Sequence, residues 1–164
     1  MNTVKSNFTG LQTLQRQVGE LTGFKAQVGL FADNAGRVAE RGRIAHNPSL
    51  GYIHEFGMTY SVVSTKTTIS IPERSWLRVP LMLHLAPLVQ ETGARWFALM
   101  ARHGVKRGLA HLGTLAEDVI QEAFATGGYG LWPALAPHTV RRKGSSAILI
   151  ETAQMRRAIA SRVV

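Results

Sequence analysis

Residues 52–57 read Tyr-Ile-His-Glu-Phe-Gly, and residues 71–78 read Ile-Pro-Glu-Arg-Ser-Trp-Leu-Arg. The stretch between them is rich in Thr, Ser, Val and Ile, and it predicts a β-hairpin with its turn near Thr65-Lys66-Thr67. Pro72 ends the second strand because proline has no amide proton to donate to a strand ladder. We call residues 52–78 the first cassette, and its pattern favours packing and turn formation over catalysis.

A second cassette covers residues 131–157. It begins with an aromatic and proline-rich loop and continues through a basic loop, an expected strand over residues 147–150 and an expected helical turn within residues 152–160. It offers no nucleophile or metal-ligand spacing, which indicates an assembly component rather than an enzyme. Its characteristic residues are Trp132-Pro133-Ala134-Leu135, Thr139, Lys143, Leu149-Ile150-Glu151-Thr152, Met155 and Arg157.

The segments around the cassettes predict an α+β fold, in which a small antiparallel sheet and a β-hairpin pack against two or three helices joined by long loops. Alternation over residues 24–31 predicts a half-buried strand, and Val163-Val164 is a candidate for a terminal strand. An amphipathic helix is expected to end at Thr22-Gly23. Its apolar positions are Phe8, Leu11, Leu14, Val18 and Leu21.

Further helical segments are expected between and beside the cassettes. Residues 79–103 are helical in character, with a kink or a helix start near Pro87. Gly104 and Gly108 bracket a basic turn, and residues 50–56 fit one short helical turn. The clearest helix has apolar Leu112, Leu115, Ala116, Val119, Ile120 and Ala123 on one face, Glu117, Asp118, Gln121 and Glu122 on the other, and Gly127-Gly128-Tyr129-Gly130 as its stop.

Composition is that of one domain over residues 1–164, in which 37–49 and 128–146 are interpreted as loops that order on assembly. The formal net charge of +9 favours contact with nucleic acid or another acidic surface. The absence of cysteine excludes disulfides and thiol catalysis. The longest uncharged apolar run, residues 79–90, is too short to span a membrane, and we expect the protein to fold in the cytoplasm.

Catalytic and metal-binding patterns are missing from the sequence. His54-Glu55 resembles half of a zinc-binding helix, but position 58 is Met rather than the second His. We therefore expect His54 and Glu55 to cap or flank a short helix. No G-x-S-x-G elbow is present, and the glycines after residue 126 lack the spacing of a phosphate loop. The sequence predicts no enzyme activity, no metal and no cofactor.

Basic residues concentrate near the C-terminus, and aromatic residues are scattered. The basic group is a candidate contact for DNA or for an acidic partner protein. The aromatic and apolar group is a candidate for core packing or for subunit-interface anchors. The first group is Arg141, Arg142, Lys143, Arg156 and Arg157; the anchors are Phe56, Trp76, Leu77 and Trp132.

The two cassettes, in this order, resemble the tail-completion and virion-morphogenesis proteins of Mu-like and lambda-like long-tailed phages. Residues 52–57 and 71–78 match the family's aromatic-Ile-His-Glu-Phe-Gly and Ile-Pro-x-Arg-x-aromatic-Leu-Arg segments. The family's Trp-x-Pro-Leu, Thr, Lys and Leu-Ile-x-Thr segments correspond here to Trp132-Pro133-Ala134-Leu135, Thr139, Lys143 and residues 149–152. The resemblance covers roughly residues 8–164.

The resemblance implies a structural virion protein of the phage neck. Such a protein completes the tail and joins it to the head, in the tail-completion or tail-terminator layer, as an expected hexameric ring assembled in the host cytoplasm. The implied partners are copies of itself, the tail-tube or tail-terminator protein, head-side connector proteins and the genomic DNA that passes through the channel, with no membrane. The sequence leaves open the alternative of a basic, sequence-independent DNA-binding protein.

This chain departs from the family pattern at three positions. Ala153 stands where Gly is usual, Met155 where Leu is usual, and Ala158-Ile159 where Ser-Ile is usual. The first departure matters only if position 153 needs a positive φ, which Ala resists. The strand that the family shows beyond this point is expected to be nearly absent, because the sequence ends at Val164.

Overall fold

A computed structural model describes residues 12, 15–16, 19–20, 22–34, 46–64, 66–150 and 153–164. From residue 46 onward the described chain forms six helices, a 3-10 turn covers Ala32–Asn34, and the strands form two separate two-stranded antiparallel sheets. The predicted α+β class is therefore confirmed. The apolar positions of the expected N-terminal helix and most of the expected assembly loop 37–49 lie outside the described residues.

The first sheet pairs the first strand of the described chain with its last strand. Strand β1 (Ala26–Leu30) pairs antiparallel with strand β4 (Ile159–Val163), with Ala26 opposite Val163 and Leu30 opposite Ile159. Lys25 and Val164 extend the ladder through reciprocal backbone hydrogen bonds of 2.7 and 2.9 Å. The expectation of a nearly absent terminal strand was wrong, because Ile159 is buried in the core and brings the whole segment onto β1.

Helix α1 (Asn47–Phe56) is longer than the single turn expected, and it begins inside the segment interpreted as loop 37–49. Pro48 marked a loop in the sequence, but it lies in the first helical turn, where no intrahelical amide donor is required. Gly57 follows the helix with φ of 73°, and an added Cβ there would lie 2.9 Å from the Ile71 carbonyl oxygen.

The predicted hairpin is confirmed. Strand β2 (Met58–Val62) pairs antiparallel with strand β3 (Thr67–Ile71), and the described turn residues between them are 63, 64 and 66. Thr67 belongs to the strand rather than to the turn. Lys66 supports the turn with φ of 49°.

Helix α2 covers residues 78–91 and widens in its middle. It runs from Arg78–Pro80 through a π-helical turn, Leu81–Leu85, into Ala86–Glu91. The wide turn lies directly before Pro87, whose ring would clash with the preceding turn of a regular α-helix. Helix α3 (Gly93–His103) follows after Thr92, so the predicted break near Pro87 takes the form of a π-turn and a second break comes at Thr92.

Helix α4 (Val105–Thr126) is the centre of the fold. The expected apolar face is confirmed, with Ala116, Ile120 and Ala123 buried. The basic turn expected at residues 104–108 is instead the first turn of this helix, and Gly108 is buried where an added Cβ would lie 2.4 Å from Met100 Cγ. One core cluster unites α4 with both cassettes, namely Trp76, Ile120, Ala123, Phe124, Trp132, Met155 and Ile159.

The second cassette is more helical than expected. Helix α5 (Pro137–Lys143) occupies much of the segment interpreted as loop 128–146, because Pro137 opens a helix and Gly144 ends it with φ of 70°. The strand expected over residues 147–150 does not form, since that segment is a turn in which Leu149 has φ of 57°. Helix α6 (Gln154–Arg157) confirms the expected helical turn.

Candidate functional site

The two cassettes meet at a buried carboxylate, that of Glu55 on α1. One oxygen, Oε1, accepts hydrogen bonds from Ser75 Oγ at 2.6 Å and from the Arg78 amide at 3.0 Å. The other, Oε2, accepts from the amides of Trp76 at 2.9 Å and Leu77 at 3.0 Å. Glu55 is only 5% exposed, so its carboxylate needs these donors, and the Arg78 guanidinium Nε lies 3.8 Å from Oε1 as an ion-pair partner.

These bonds place a negative charge at the N-terminal end of α2, where free amide groups and the helix dipole are electropositive. Ser75 Oγ completes the cap by accepting from the Val79 amide at 2.9 Å. The sequence predicted that His54 and Glu55 cap or flank a short helix. Glu55 does cap a helix, but it is α2, more than twenty residues further along the chain.

The buried indoles of Trp76 and Trp132 both donate hydrogen bonds at the junction of the two cassettes. Trp76 Nε1 donates to the Gly51 carbonyl at 2.8 Å, and Trp132 Nε1 donates to the Ser75 carbonyl at 3.0 Å. A Cβ at position 51 would lie 2.7 Å from Leu30 Cδ1, so α1 approaches β1 and the first indole closely only because this residue is glycine. Trp76 and Trp132 are therefore core residues of the subunit.

This burial corrects part of the anchor prediction. Trp76 is 4% exposed and Trp132 is 8% exposed, so neither presents a surface to a neighbouring molecule. Leu77 is partly buried against the same cluster. Of the four expected anchors, Phe56 alone is largely exposed, at 54%, and its ring lies 4.9 Å from that of Tyr52.

Arg74 connects the first cassette to the second. Its Nε donates to the Pro133 carbonyl at 2.9 Å, and its Nη2 donates to the Ala134 carbonyl at 3.1 Å. Its own amide donates to the His54 carbonyl at 2.7 Å. Burial lowers the pKa of the Arg74 guanidinium from its usual value. The Ile-Pro-x-Arg segment thus serves to hold the Trp-Pro-Ala-Leu segment in place.

His54 lies beside Arg74 in an unusual environment. Its Nδ1 is buried and has no hydrogen-bond partner among the described residues. Burial, followed by the positive charges of Arg74 and Lys143, lowers the pKa of its imidazole to about 4. The ring is therefore neutral at pH 7. No group of three or more His, Asp or Glu side chains that could hold a metal ion is found in the described residues.

A half-open cavity of about 210 Å³ adjoins His54, between α1, α5 and the chain around α6. Basic side chains from both cassettes line it, namely those of Arg74, Arg142 and Lys143. Lys143 Nζ also donates to the Ala147 carbonyl. Residues that the sequence predicted as surface contacts for DNA therefore contribute to a defined concavity.

The remaining basic candidates have different surroundings. Arg156 Nε donates to Gln121 Oε1 at 2.6 Å, so this guanidinium fastens α6 to α4. Arg141 is exposed on α5 and does not line the cavity, and Arg157 is exposed on α6. The five residues thus do not form one uniform basic face.

The hairpin of β2 and β3 has an exposed apolar face, which the sequence did not indicate. Strand register places Met58, Tyr60 and Ile69 on one face, together with Val62 and Ile71. The opposite face is polar, with hydroxyl contacts between Thr59 and Ser70 at 3.2 Å and between Ser61 and Thr68 at 3.4 Å. We call the first of these the apolar hairpin face.

Much of this apolar face is exposed to solvent. Met58 is 46% exposed, Tyr60 is 42% exposed and Ile69 is 37% exposed. Exposed Tyr52 and Phe56 lie on the adjoining helix α1. Alternation along each strand was visible in the sequence, but the exposure of this face was not.

Protein-family models, curated proteins and solved structures were all compared with this chain, and none matches it. Among the residues that the structure describes, no helix combines the length and apolar character needed to cross a membrane.

Proposed function

We propose that this protein is a structural subunit that assembles with copies of itself through the apolar hairpin face. Its proposed place is the neck of a tailed phage, where it completes the tail and joins it to the head as part of a ring. The uncovered hairpin is the observation that carries the assembly role. The neck assignment rests on the resemblance of the two cassettes to tail-completion proteins.

Physical chemistry supports assembly through the hairpin. A two-stranded sheet is marginally stable in water without a surface to pack against. Contiguous exposed apolar side chains on a soluble protein mark interaction surfaces. The strands β2 and β3 satisfy both conditions, because they pair with each other while Met58, Tyr60 and Ile69 remain exposed.

A second copy of the chain is the proposed occupant of the face. Closed rings require a head-to-tail interface, in which one surface meets a different surface of the next subunit. The chain offers further exposed apolar side chains away from the hairpin, with which such an interface can form. They are Met82, Leu83, Phe97 and Leu131.

The cassettes support a structural rather than a catalytic role. Glu55, Ser75 and Arg74 direct their hydrogen-bonding groups to the backbone of the same chain. The motif residues bind one another, and so they define a scaffold.

Light scattering tests the assembly role directly. The purified protein is expected to have the mass of a closed oligomer, alone or after addition of tail-tube protein. Tyr60→Lys introduces a charge on the apolar hairpin face and should give a monomer. Ser61→Lys places the same charge on the opposite face and should leave the mass unchanged. A monomeric wild type that ignores tail-tube protein would refute the assembly role.

Electron microscopy of particles made without this protein tests the neck role. Tails that fail to join heads are expected. Normal, infectious particles would show that the protein has no part in joining, whatever its oligomeric state.

A second candidate function is sequence-independent DNA binding, favoured by the net charge of +9 and by exposed Arg141 and Arg142 on α5. Affinity should fall steeply with salt. Charge reversal of both arginines to Glu should abolish binding, whereas reversal of exposed Arg95 and Arg102 on α3 should reduce it much less. An absence of binding at low salt would eliminate this candidate.

A further inference from the structure

The cavity beside His54 has the features of a binding site that the assembly role does not use. Its volume is about 210 Å³, enough for several water molecules at about 30 Å³ each. Leu50 and Leu149 contribute apolar surface, and Thr139 contributes a polar side chain. Three basic side chains, those of Arg74, Arg142 and Lys143, also line it, beside neutral Gln154 and Met155.

Three cations share this small space. Arg74 and Lys143 line the cavity together with His54, and after burial their positive charges contribute to the lowered pKa of its imidazole. Arg142 comes from the last turn of α5 and is exposed to solvent. No acidic side chain lines the cavity among the described residues.

We propose that this cavity binds a small oxyanion of the phosphate class, either free phosphate or the terminal phosphate of a nucleic acid. Guanidinium and ammonium groups are the donors that proteins use for phosphate. The Thr139 hydroxyl adds a neutral donor within the same lining. Arg74 is already oriented by the Pro133 and Ala134 carbonyls, so its charge is fixed in position before any ligand arrives.

Phosphate binding is measured by calorimetry and by the thermal shift of the full-length protein, with inorganic phosphate titrated at constant ionic strength. Arg142→Ala removes a cation from the cavity, and loss of a charge-assisted hydrogen bond should weaken binding about tenfold. Arg141→Ala removes the same charge from the adjacent residue of α5, which does not line the cavity, and should bind like the wild type. Arg74 is not mutated, because it also anchors the second cassette.

Two further arms identify the source of the anion. A short oligonucleotide with a 5′-phosphate that competes with inorganic phosphate, where its dephosphorylated form does not, identifies a terminal phosphate. Competition by neither oligonucleotide identifies free phosphate. Both outcomes support the site. Competition by both oligonucleotides, or equal losses in the two arginine variants, would overturn it in favour of diffuse surface binding.

Glu151 provides a decisive control, because it lies between cavity-lining Leu149 and Ala153 in the sequence but outside the described residues. The Glu151→Gln variant is titrated alongside the wild type. Binding by both proteins supports the proposal. Binding by neither, or by the variant alone, would refute it, since in the latter case the chain's own carboxylate would be the natural occupant.

Discussion

At the scale of single residues, the Glu55 side chain links helix α1 to the start of helix α2. Local secondary-structure propensity does not predict such a contact. Its carboxylate receives four hydrogen bonds from the start of α2. Glu55→Gln removes the charge and turns one acceptor into a donor that faces amide groups. We expect a loss of about 3 kcal/mol in the free energy of unfolding, measured by urea titration. Exposed Glu73→Gln breaks a surface pair with Arg78 and should cost under about 1 kcal/mol.

Ala153 carries backbone strain. The sequence left open whether position 153 needs a positive φ, and the structure gives it φ of 57° and ψ of 11°. The left-handed conformation costs an L-residue about 1–2 kcal/mol, which glycine avoids. Ala153→Gly should therefore raise the free energy of unfolding by about 1 kcal/mol. Ala158→Gly, at φ of −85°, should lower it, and equal effects would contradict the strain argument.

His54 makes stability depend on pH. Its folded-state pKa of about 4 lies below the ordinary 6.5, so the unfolded chain binds a proton more readily. Stability is thus full above pH 6.5 and is lost as pH falls towards 4, by up to about 3 kcal/mol at about 1.4 kcal/mol per pH unit. The charges facing the ring are Arg74 and Lys143. Urea titrations of His54→Gln should show a shallower pH dependence, and a constant offset from wild type would contradict this cause.

At the scale of elements, the periodicity of apolar residues predicted helices and strands correctly where only one face of the element is buried. The faces of α4 and the alternation of β1 were predicted because a helix or strand with one covered face must sort its side chains by polarity. The segments around Pro48 and Pro137 were wrongly predicted to be loops, because proline occurs both in loops and in the first turn of helices. Tertiary packing of the residues after each proline decides between a loop and a helix. For this reason the sequence predicted α1 as too short and did not predict α5.

The hairpin is expected to be the least stable element in the unassembled protein. Both of its faces are exposed, whereas β1 and β4 pack against α4 through Val28 and Ile159. Amide hydrogen exchange in the Tyr60→Lys variant should be fast in β2 and β3 and slow in β1 and β4. In the assembled wild type, exchange in the hairpin should slow markedly. Equal protection in both proteins would mean that no subunit covers it.

At the scale of the whole molecule, assembly should appear as a concentration effect. A protein that self-associates in its folded form is stabilised by mass action, so its melting temperature rises with protein concentration. We expect this rise for the wild type and for Ser61→Lys. Scanning calorimetry of Tyr60→Lys should give a melting temperature that does not vary with concentration. A concentration dependence that survives in this variant would move the interface away from the hairpin.

The sequence by itself determined the fold class, the hairpin, the main helix and the packing character of both cassettes, because these depend on local periodicity and turn chemistry. Tertiary structure alone decided that Glu55 caps α2, that Trp76 and Trp132 are buried in the core, and that β4 pairs with β1. It also decided that the apolar hairpin face and the basic cavity are open to solvent. Such features depend on contacts between residues far apart in the chain. Local pattern shows which side chains need a partner, and only the folded chain shows which of them have found one.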